Sequence, residues 1–290
     1  MQYFNIGDVI FIWEDGGFAL SYDSFVERFR ISKSDIPVEA DCVRYCSEYY
    51  PLEQLRKYRC LKRNGLYELF ETEKGKMLIY HWATCRFAYG YLTKQLGEEN
   101  TVICYFNPKM REEIPITAAR FFSTAGMHTK LLQRSAVILH ASYIDWDGSA
   151  ILFAAPSGTG KSTQAELWEQ YAGAEIINGD RALLRRRGSV WHAFGYPCCG
   201  SSMICQNRTL PLKAIVILEQ AKENRVESLS ASQKIRALVS GTEIYLWDTD
   251  EINQAFHLAE QISKEVPVIK LACRPDKNAV TVLKEYLEVI

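Results

Sequence analysis

Apolar positions in the first third of the chain fall in short blocks punctuated by turn residues, the pattern of strands rather than helices. Val9-Ile10-Phe11-Ile12-Trp13 is followed by Asp15-Gly16-Gly17 and then Phe18-Ala19-Leu20. Leu66 to Phe70 and Met77 to Trp82 flank Glu73-Lys74-Gly75-Lys76, which predicts a hairpin, and Thr101 to Phe106 predicts a further strand. Pro115 opens a stretch to about Gln133 with Ala118, Ala119, Phe122 and Leu131-Leu132 on its apolar side, which predicts a helix.

From Ala136 the period changes. Ala136 to Ile144 reads as a strand, Asp147-Gly148 as a two-residue hairpin turn, and Ala150 to Ala154 as a continuous apolar strand. Lys161 to about Tyr171 places Ala165, Leu167 and Trp168 among polar residues and ends before Gly173, which predicts a helix with a glycine at its C-terminus. A short strand, Glu175 to Asn178, precedes a hairpin of Ala182–Arg187 and Val190–Phe194, and Ala214 to Leu218 is another buried strand. Ile252, Ala255, Phe256, Ala259 and Ile262 follow the spacing of an amphipathic helix; Val266 to Leu271 reads as a strand, and a last helix begins near Lys277. The second half is therefore α/β with a mixed sheet, preceded by a smaller β-rich part. There is no internal repeat and no low-complexity linker.

Composition narrows the classes. The 290 residues are 48% hydrophobic, ample for a sizeable core, and the formal net charge of −1 supplies no field for nucleic acid or an anionic membrane. No apolar run approaches the roughly 20 residues that span a bilayer, and the start Met1-Gln2-Tyr3-Phe4-Asn5 lacks a basic segment followed by an apolar one. Nine cysteines without a CxxC pair or zinc-like spacing read as reduced, mostly buried thiols of a soluble, cytoplasmic protein.

The strongest chemical signal is Ala155-Pro156-Ser157-Gly158-Thr159-Gly160-Lys161-Ser162, placed between an apolar strand and a helix. This matches the phosphate loop G-x-x-x-x-G-K-S/T except for Ala155, where the residue ending the strand need only be small. Gly158 and Gly160 permit conformations that turn backbone N–H groups into one concavity, and the following helix adds the positive end of its dipole. Ser157 to Thr163 are thus the nucleotide-binding candidates, with Lys161 on the β- and γ-phosphates and the Ser162 hydroxyl on Mg²⁺. Asp180, just after a short strand, stands where a second metal-holding carboxylate would; Asn178-Gly179-Asp180 is also common turn composition, and spacing alone does not choose. His140, in the strand that pairs with the one feeding the loop, is either structural or part of the site. Phe194 to Ser202 is a Gly/Ser/Pro-rich loop, and Arg208 could supply charge to a transferring phosphoryl group. Arg185-Arg186-Arg187 reads as an exposed strand face. No Asn/Thr-Lys-x-Asp guanine motif is present, which argues against an ordinary GTPase.

His140 in Leu139-His140-Ala141, the loop Ala155–Ser162, Asp180-Arg181 and the segment Pro197 to Leu218 recur in an order that resembles the HPr kinase/phosphorylase-like proteins, whose nucleotide domain is similar to that of phosphoenolpyruvate carboxykinases. Cys273-Arg274-Pro275-Asp276 before the terminal helix also looks like kinase-like members of that group, making Arg274, with Arg208, a phosphate or acceptor contact. The resemblance runs from about Pro115 to the C-terminus and implies a kinase-type domain over 113–290, with residues 1–112 as a β-rich module for substrate recognition. It implies ATP- and Mg²⁺-dependent phosphorylation of a seryl hydroxyl on a peptide or small protein, such as the precursor of a ribosomally made product. Lys161, Asp180 and His140 would be the catalytic residues, and homo-oligomers would be expected. Gly179 stands where the earlier of the family's paired aspartates would be, leaving one carboxylate, and the long signature loop of true HPr kinases is not recognisable. Two other readings stay open: a nucleotide-binding peptide-recognition module without transfer, and a carboxykinase-like enzyme acting on a small acid.

Overall fold

A β-rich first part and a mixed α/β second part follow one another along the chain, and the architecture follows that division. The structure, a computed structural model, describes residues 1–14, 24–49, 54, 57–63, 67–73, 75–82, 85–92, 100–106 and 124–290, in two units, Met1–Met127 and His128–Ile290. The boundary expected at 112/113, the turn at 15–17 with the strand after it, and most of the helix from Pro115 lie outside the described residues.

In the first unit nine described strands form one sheet: β1 (Gln2–Ile6), β2 (Val9–Glu14), β3 (Arg30–Ile31), β4 (Cys42–Tyr49), β5 (Arg59–Arg63), β6 (Tyr67–Thr72), β7 (Gly75–Trp82), β8 (Cys85–Leu92) and β9 (Thr101–Phe106), with a short helix α1 (Ser24–Glu27). Their order is β3-β1-β2-β4-β9-β8-β7-β6-β5, parallel only across β2, β4 and β9. The expected hairpin is present as β6 and β7, with Phe70 opposite Met77. Phe4, Phe11, Trp13, Val43 and Tyr45, on β1, β2 and β4, are among the fully buried residues of the sheet. β1, β3, β4, β5 and β8 had no counterpart in the periodicity; β1 is joined to β2 by Gly7-Asp8, both at positive φ (64° and 62°), as a tight two-residue hairpin requires.

The second unit contains α2 (Met127–Leu132, its first residue counted with the first unit), β10 (Val137–Trp146), β11 (Ser149–Ala154), α3 (Lys161–Ala172), β12 (Glu175–Asn178), β13 (Arg181–Arg187), β14 (Val190–Phe194), β15 (Thr209–Gln220), β16 (Arg225–Ser228), α4 (Ala231–Gly241), α5 (Thr249–Glu265), β17 (Val268–Cys273) and α6 (Lys277–Glu288). Asp147 and Gly148 turn at φ 50° and 75° between β10 and β11. The pairings β11–β10–β13–β14–β15 return to β11, so these five strands close on themselves, while β17 and then β16 extend from β15. Closure leaves few free edges. β16 and α4 are absent from the period-based reading, although Ser230 and Gln233 form a capping box that marks the start of α4.

β11 is apolar from Ala150 to Ala154 because both of its faces are covered there. Ile151 and Phe153 face the layer made by α3 and α6, through Ala165, Trp168, Val280 and Leu283. Leu152 faces the layer of α4 and α5, through Leu238, Leu258 and Ile262. β11, β15 and β17 run parallel, so their carboxyl ends, Ala154, Gln220 and Cys273, lie at one end of the sheet. Among the described residues no helix is long and apolar enough to cross a membrane, and Cys42, Cys46, Cys60, Cys104, Cys198, Cys199, Cys205 and Cys273 are free thiols.

Trp168, fully buried, meets the Trp146 ring edge-on at 5.2 Å and Phe153 at 6.1 Å. Trp168→Ala is expected to cost the second unit about 3–5 kcal/mol through lost contacts and the cavity left behind. Urea denaturation followed by tryptophan fluorescence checks it.

Candidate functional site

The loop leaving β11 gains its shape from two glycines. Gly158 (φ 79°) and Gly160 (φ 117°) occupy backbone that a side chain resists, and nothing lies within 4 Å of where a Cβ would stand at either. The loop surface is therefore open backbone. The N–H of Gln164 is accepted by the Gly160 carbonyl (2.9 Å), closing the first turn of α3. The amides of Lys161, Ser162 and Thr163 precede that bond and have no partner within the helix, as at any helix start. Ser157, Gly158, Ser162 and Thr163 are exposed. Such a set of amides at the positive end of a helix suits an anion.

Lys161 is buried, and its ammonium donates to the carbonyls of Ala155 (3.0 Å) and Pro156 (3.5 Å). Burial pulls its pKa below the usual lysine value, and the charge of Asp180 partly opposes that shift. Asp180 is thus within electrostatic reach of Lys161. His140, on β10, lies opposite Arg181 in the β10–β13 register, and its Nε2 is 3.1 Å from Asp180 Oδ1. The structure therefore pairs His140 with Asp180, which lie 40 positions apart in the sequence.

The turn carrying Asp180 is held by a residue the sequence reading did not single out. The Asn178 side chain is fully buried; its Oδ1 accepts from the N–H groups of Asp180 and Arg181 (both 2.9 Å), and its Nδ2 donates to the carbonyls of Tyr196 (2.8 Å) and Cys198 (3.1 Å). Turn composition was the available signal. The segment so anchored packs tightly on the turn. A Cβ on Gly179 would stand 2.1 Å from Ser202 Oγ, and one on Gly200 2.8 Å from Asp180 Cγ. The Arg181 guanidinium donates to Cys198 Sγ (2.6 Å) and lies 3.2 Å from Glu243 and 3.7 Å from Asp180. Burial pushes the Cys198 thiol pKa up, against the pull of Arg181.

Beside the loop, at the carboxyl ends of the parallel strands, is a pocket of about 430 Å³ bounded by Gly158–Gly160, Thr163, Gln164, Leu218, Gln220, Ala221 and Cys273–Pro275. Crevices outside strand carboxyl ends are where open α/β sheets bind ligands. Arg274 lines it, its guanidinium 2.9 Å from Asp276. Arg208 is not brought there. Its guanidinium is held by Asp145 and Glu175, and Asp145 is level with Ala150, four residues and about 13 Å before the loop end of β11. Two neighbouring carboxylates claimed this arginine, which spacing could not show. Among the described residues no cluster of three or more His, Cys, Asp or Glu side chains is placed to hold a metal by itself.

The chain belongs to the SynChlorMet cassette protein ScmC family, which it matches over residues 102–278, more than half its length. Among solved structures it is similar to the Hpr(Ser) kinase/phosphatase from Coxiella burnetii, with 14% identity and a TM-score of 0.28 over 52% of this chain and 87% of that one. That likeness is weak. No curated protein matches.

The fit between Gly179 and Ser202 is testable. Gly179→Ala is expected to lower stability by roughly 1–3 kcal/mol through overpacking, and adding Ser202→Gly should restore part of it. A double-mutant cycle by denaturant unfolding reads the coupling.

Proposed function

We propose that this ScmC-family chain is a phosphotransferase that moves the γ-phosphoryl group of ATP to a seryl hydroxyl of a peptide or small protein. The observation that supports it best is the Asp180–His140 pair, whose carboxylate lies within electrostatic reach of Lys161 in the glycine loop. In this reading the loop amides and Lys161 hold the β- and γ-phosphates. The Ser162 hydroxyl and the Asp180 carboxylate are hard oxygen donors suited to Mg²⁺, which keeps several waters and needs few protein ligands. When bound, the ion would neutralise phosphate charge.

Asp180 aligns the acceptor hydroxyl, and the contact with His140 Nε2 fixes the carboxylate's orientation. The bond from the γ-phosphorus to its bridging oxygen breaks, the seryl oxygen–phosphorus bond forms, and the hydroxyl proton passes to the Asp180–His140 pair. Phosphoryl transfer needs little covalent help, so positioning and charge stabilisation supply most of the rate. A family described by its cassette suits an acceptor made alongside this chain.

A second reading, a nucleotide-gated peptide-binding module without transfer, is favoured by one observation. Ser202 occupies the space beside Gly179, leaving a single carboxylate at the turn. Mass spectrometry of candidate peptides after incubation with ATP and Mg²⁺ separates the two, since only transfer adds a phosphoryl group.

Lys161→Ala is expected to weaken triphosphate binding by roughly 10- to 100-fold, the value of a charge-assisted contact. Asp180→Asn should bind ATP nearly as well as the parent while losing about 10²–10⁴ in turnover. Isothermal titration with a γ-phosphate transfer assay measures both; full turnover in Asp180→Asn would rule out the assigned role.

A further inference from the structure

Arg181 follows Asp180 in the chain and is placed to pair with it, yet its close contacts go elsewhere. Its Nη1 donates to Cys198 Sγ at 2.6 Å and stays 3.7 Å from Asp180 Oδ2, beyond hydrogen-bond distance. Its Nε lies 3.2 Å from Glu243 Oε2. That oxygen is sealed from solvent and makes no hydrogen bond, so what it meets there is the charge of the guanidinium. A buried carboxylate is costly unless a cation compensates it, and Glu243 takes the cation that Asp180 would otherwise hold.

Glu243 is brought there by the strand that carries His140. Its backbone N–H donates to the Ile138 carbonyl (3.0 Å), Thr242 bridges to Leu139, and a Cβ on Gly241 would stand 3.0 Å from Leu139 Cδ1. The chain leaving α4 therefore lies along β10 within two residues of His140. Buried groups back it from the other side. Glu243 Oε1 is 3.8 Å from Nδ1 of the buried His128, whose ring meets Tyr245 edge-on at 4.4 Å. Glu251, 3.8 Å from His128 Nε2, accepts from the Tyr245 N–H (2.7 Å) and from the Thr129 hydroxyl. These contacts pin residues 243–245 and leave Glu243 little room to swing away from Arg181.

We infer that Glu243 is a positioning residue of the transfer site: by holding Arg181 it keeps that cation off Asp180 and leaves the carboxylate free to meet the acceptor hydroxyl beside His140. Its effect on turnover rests on the phosphotransfer reading above, whereas the Arg181 contact can be read without it. With residue 243 neutral, the guanidinium needs to move only about 1 Å to make a charge-assisted hydrogen bond with Asp180.

Glu243→Gln keeps the shape and removes the charge. A crystal structure of the variant is expected to show Arg181 within about 3 Å of Asp180 Oδ2. Its transfer rate at saturating ATP should fall about tenfold, the value of one charge-assisted hydrogen bond, with ATP affinity by isothermal titration unchanged. In an Asp180→Asn background the same substitution should cost nothing further, whereas damage to packing alone would add its own loss. The double variant Arg181→Met/Glu243→Gln leaves neither charge buried without its partner and should transfer within about threefold of the parent. It carries the test if the single variant does not fold. Arg181 staying away from Asp180 in the Glu243→Gln structure, an equal loss in the parent and Asp180→Asn backgrounds, or a double variant tenfold or more slower than the parent would overturn the inference. If the parent transfers no phosphoryl group while the variant still shows the new Arg181–Asp180 contact, it is the phosphotransfer reading that fails.

Discussion

The candidate site depends on the carboxamide of Asn178. Buried at the end of β12, it uses both of its donors on the Tyr196 and Cys198 carbonyls, and its oxygen accepts from the N–H groups of Asp180 and Arg181. One rigid planar group thus sets the direction of the turn and the seat of the segment after β14. The close approaches at Gly179 and Gly200 follow from that anchoring, because two backbones tied to one amide leave no space for side chains between them. Ser142 adds to the same framework by donating to the Gly179 carbonyl at 2.9 Å. A fully satisfied buried network of this kind specifies one arrangement where a loop would otherwise have many.

Charge around this framework is divided. Burial alone would lower the Arg181 pKa, but Glu243 first, with Cys198, Tyr196 and Asp180, more than reverses it. Glu243, at 3.2 Å, is closer to that guanidinium than Asp180 is at 3.7 Å, so Asp180 keeps an oxygen directed at His140. Lys161 sits on the other side of the balance. It is buried with only backbone carbonyls as hydrogen-bond acceptors, and its charge is costly there until anionic groups arrive.

Much of the second unit was legible in advance. The strand of Ala150 to Ala154, the turn at Asp147-Gly148, the helix from Lys161 and its end at Gly173 each have a local cause: burial of both strand faces, positive φ at the turn, and a left-handed residue closing the helix. β16 and α4 were not found. The former is four residues long with no buried position, and the latter buries only Leu238, so neither offers a strong hydrophobic period. In the first unit β1 was missed for a related reason, since it begins in polar residues and its hairpin turn is Gly7-Asp8 rather than the commoner reverse order.

By itself the sequence determined the glycine loop, the strand before it and the helix after it, because those rest on local conformational preference and on burial within a few residues. Only the tertiary structure decided which distant groups stand beside that loop. Closure of β10, β13, β14, β15 and β11 on one another sets His140 against Asp180, and the parallel run of β11, β15 and β17 brings Cys273 to Gln164. It also placed Arg208 at the other end of the strands, between Asp145 and Glu175. Partners of this kind are fixed by strand register and by competition among charges that meet only after folding, and neither quantity is written in spacing along the chain.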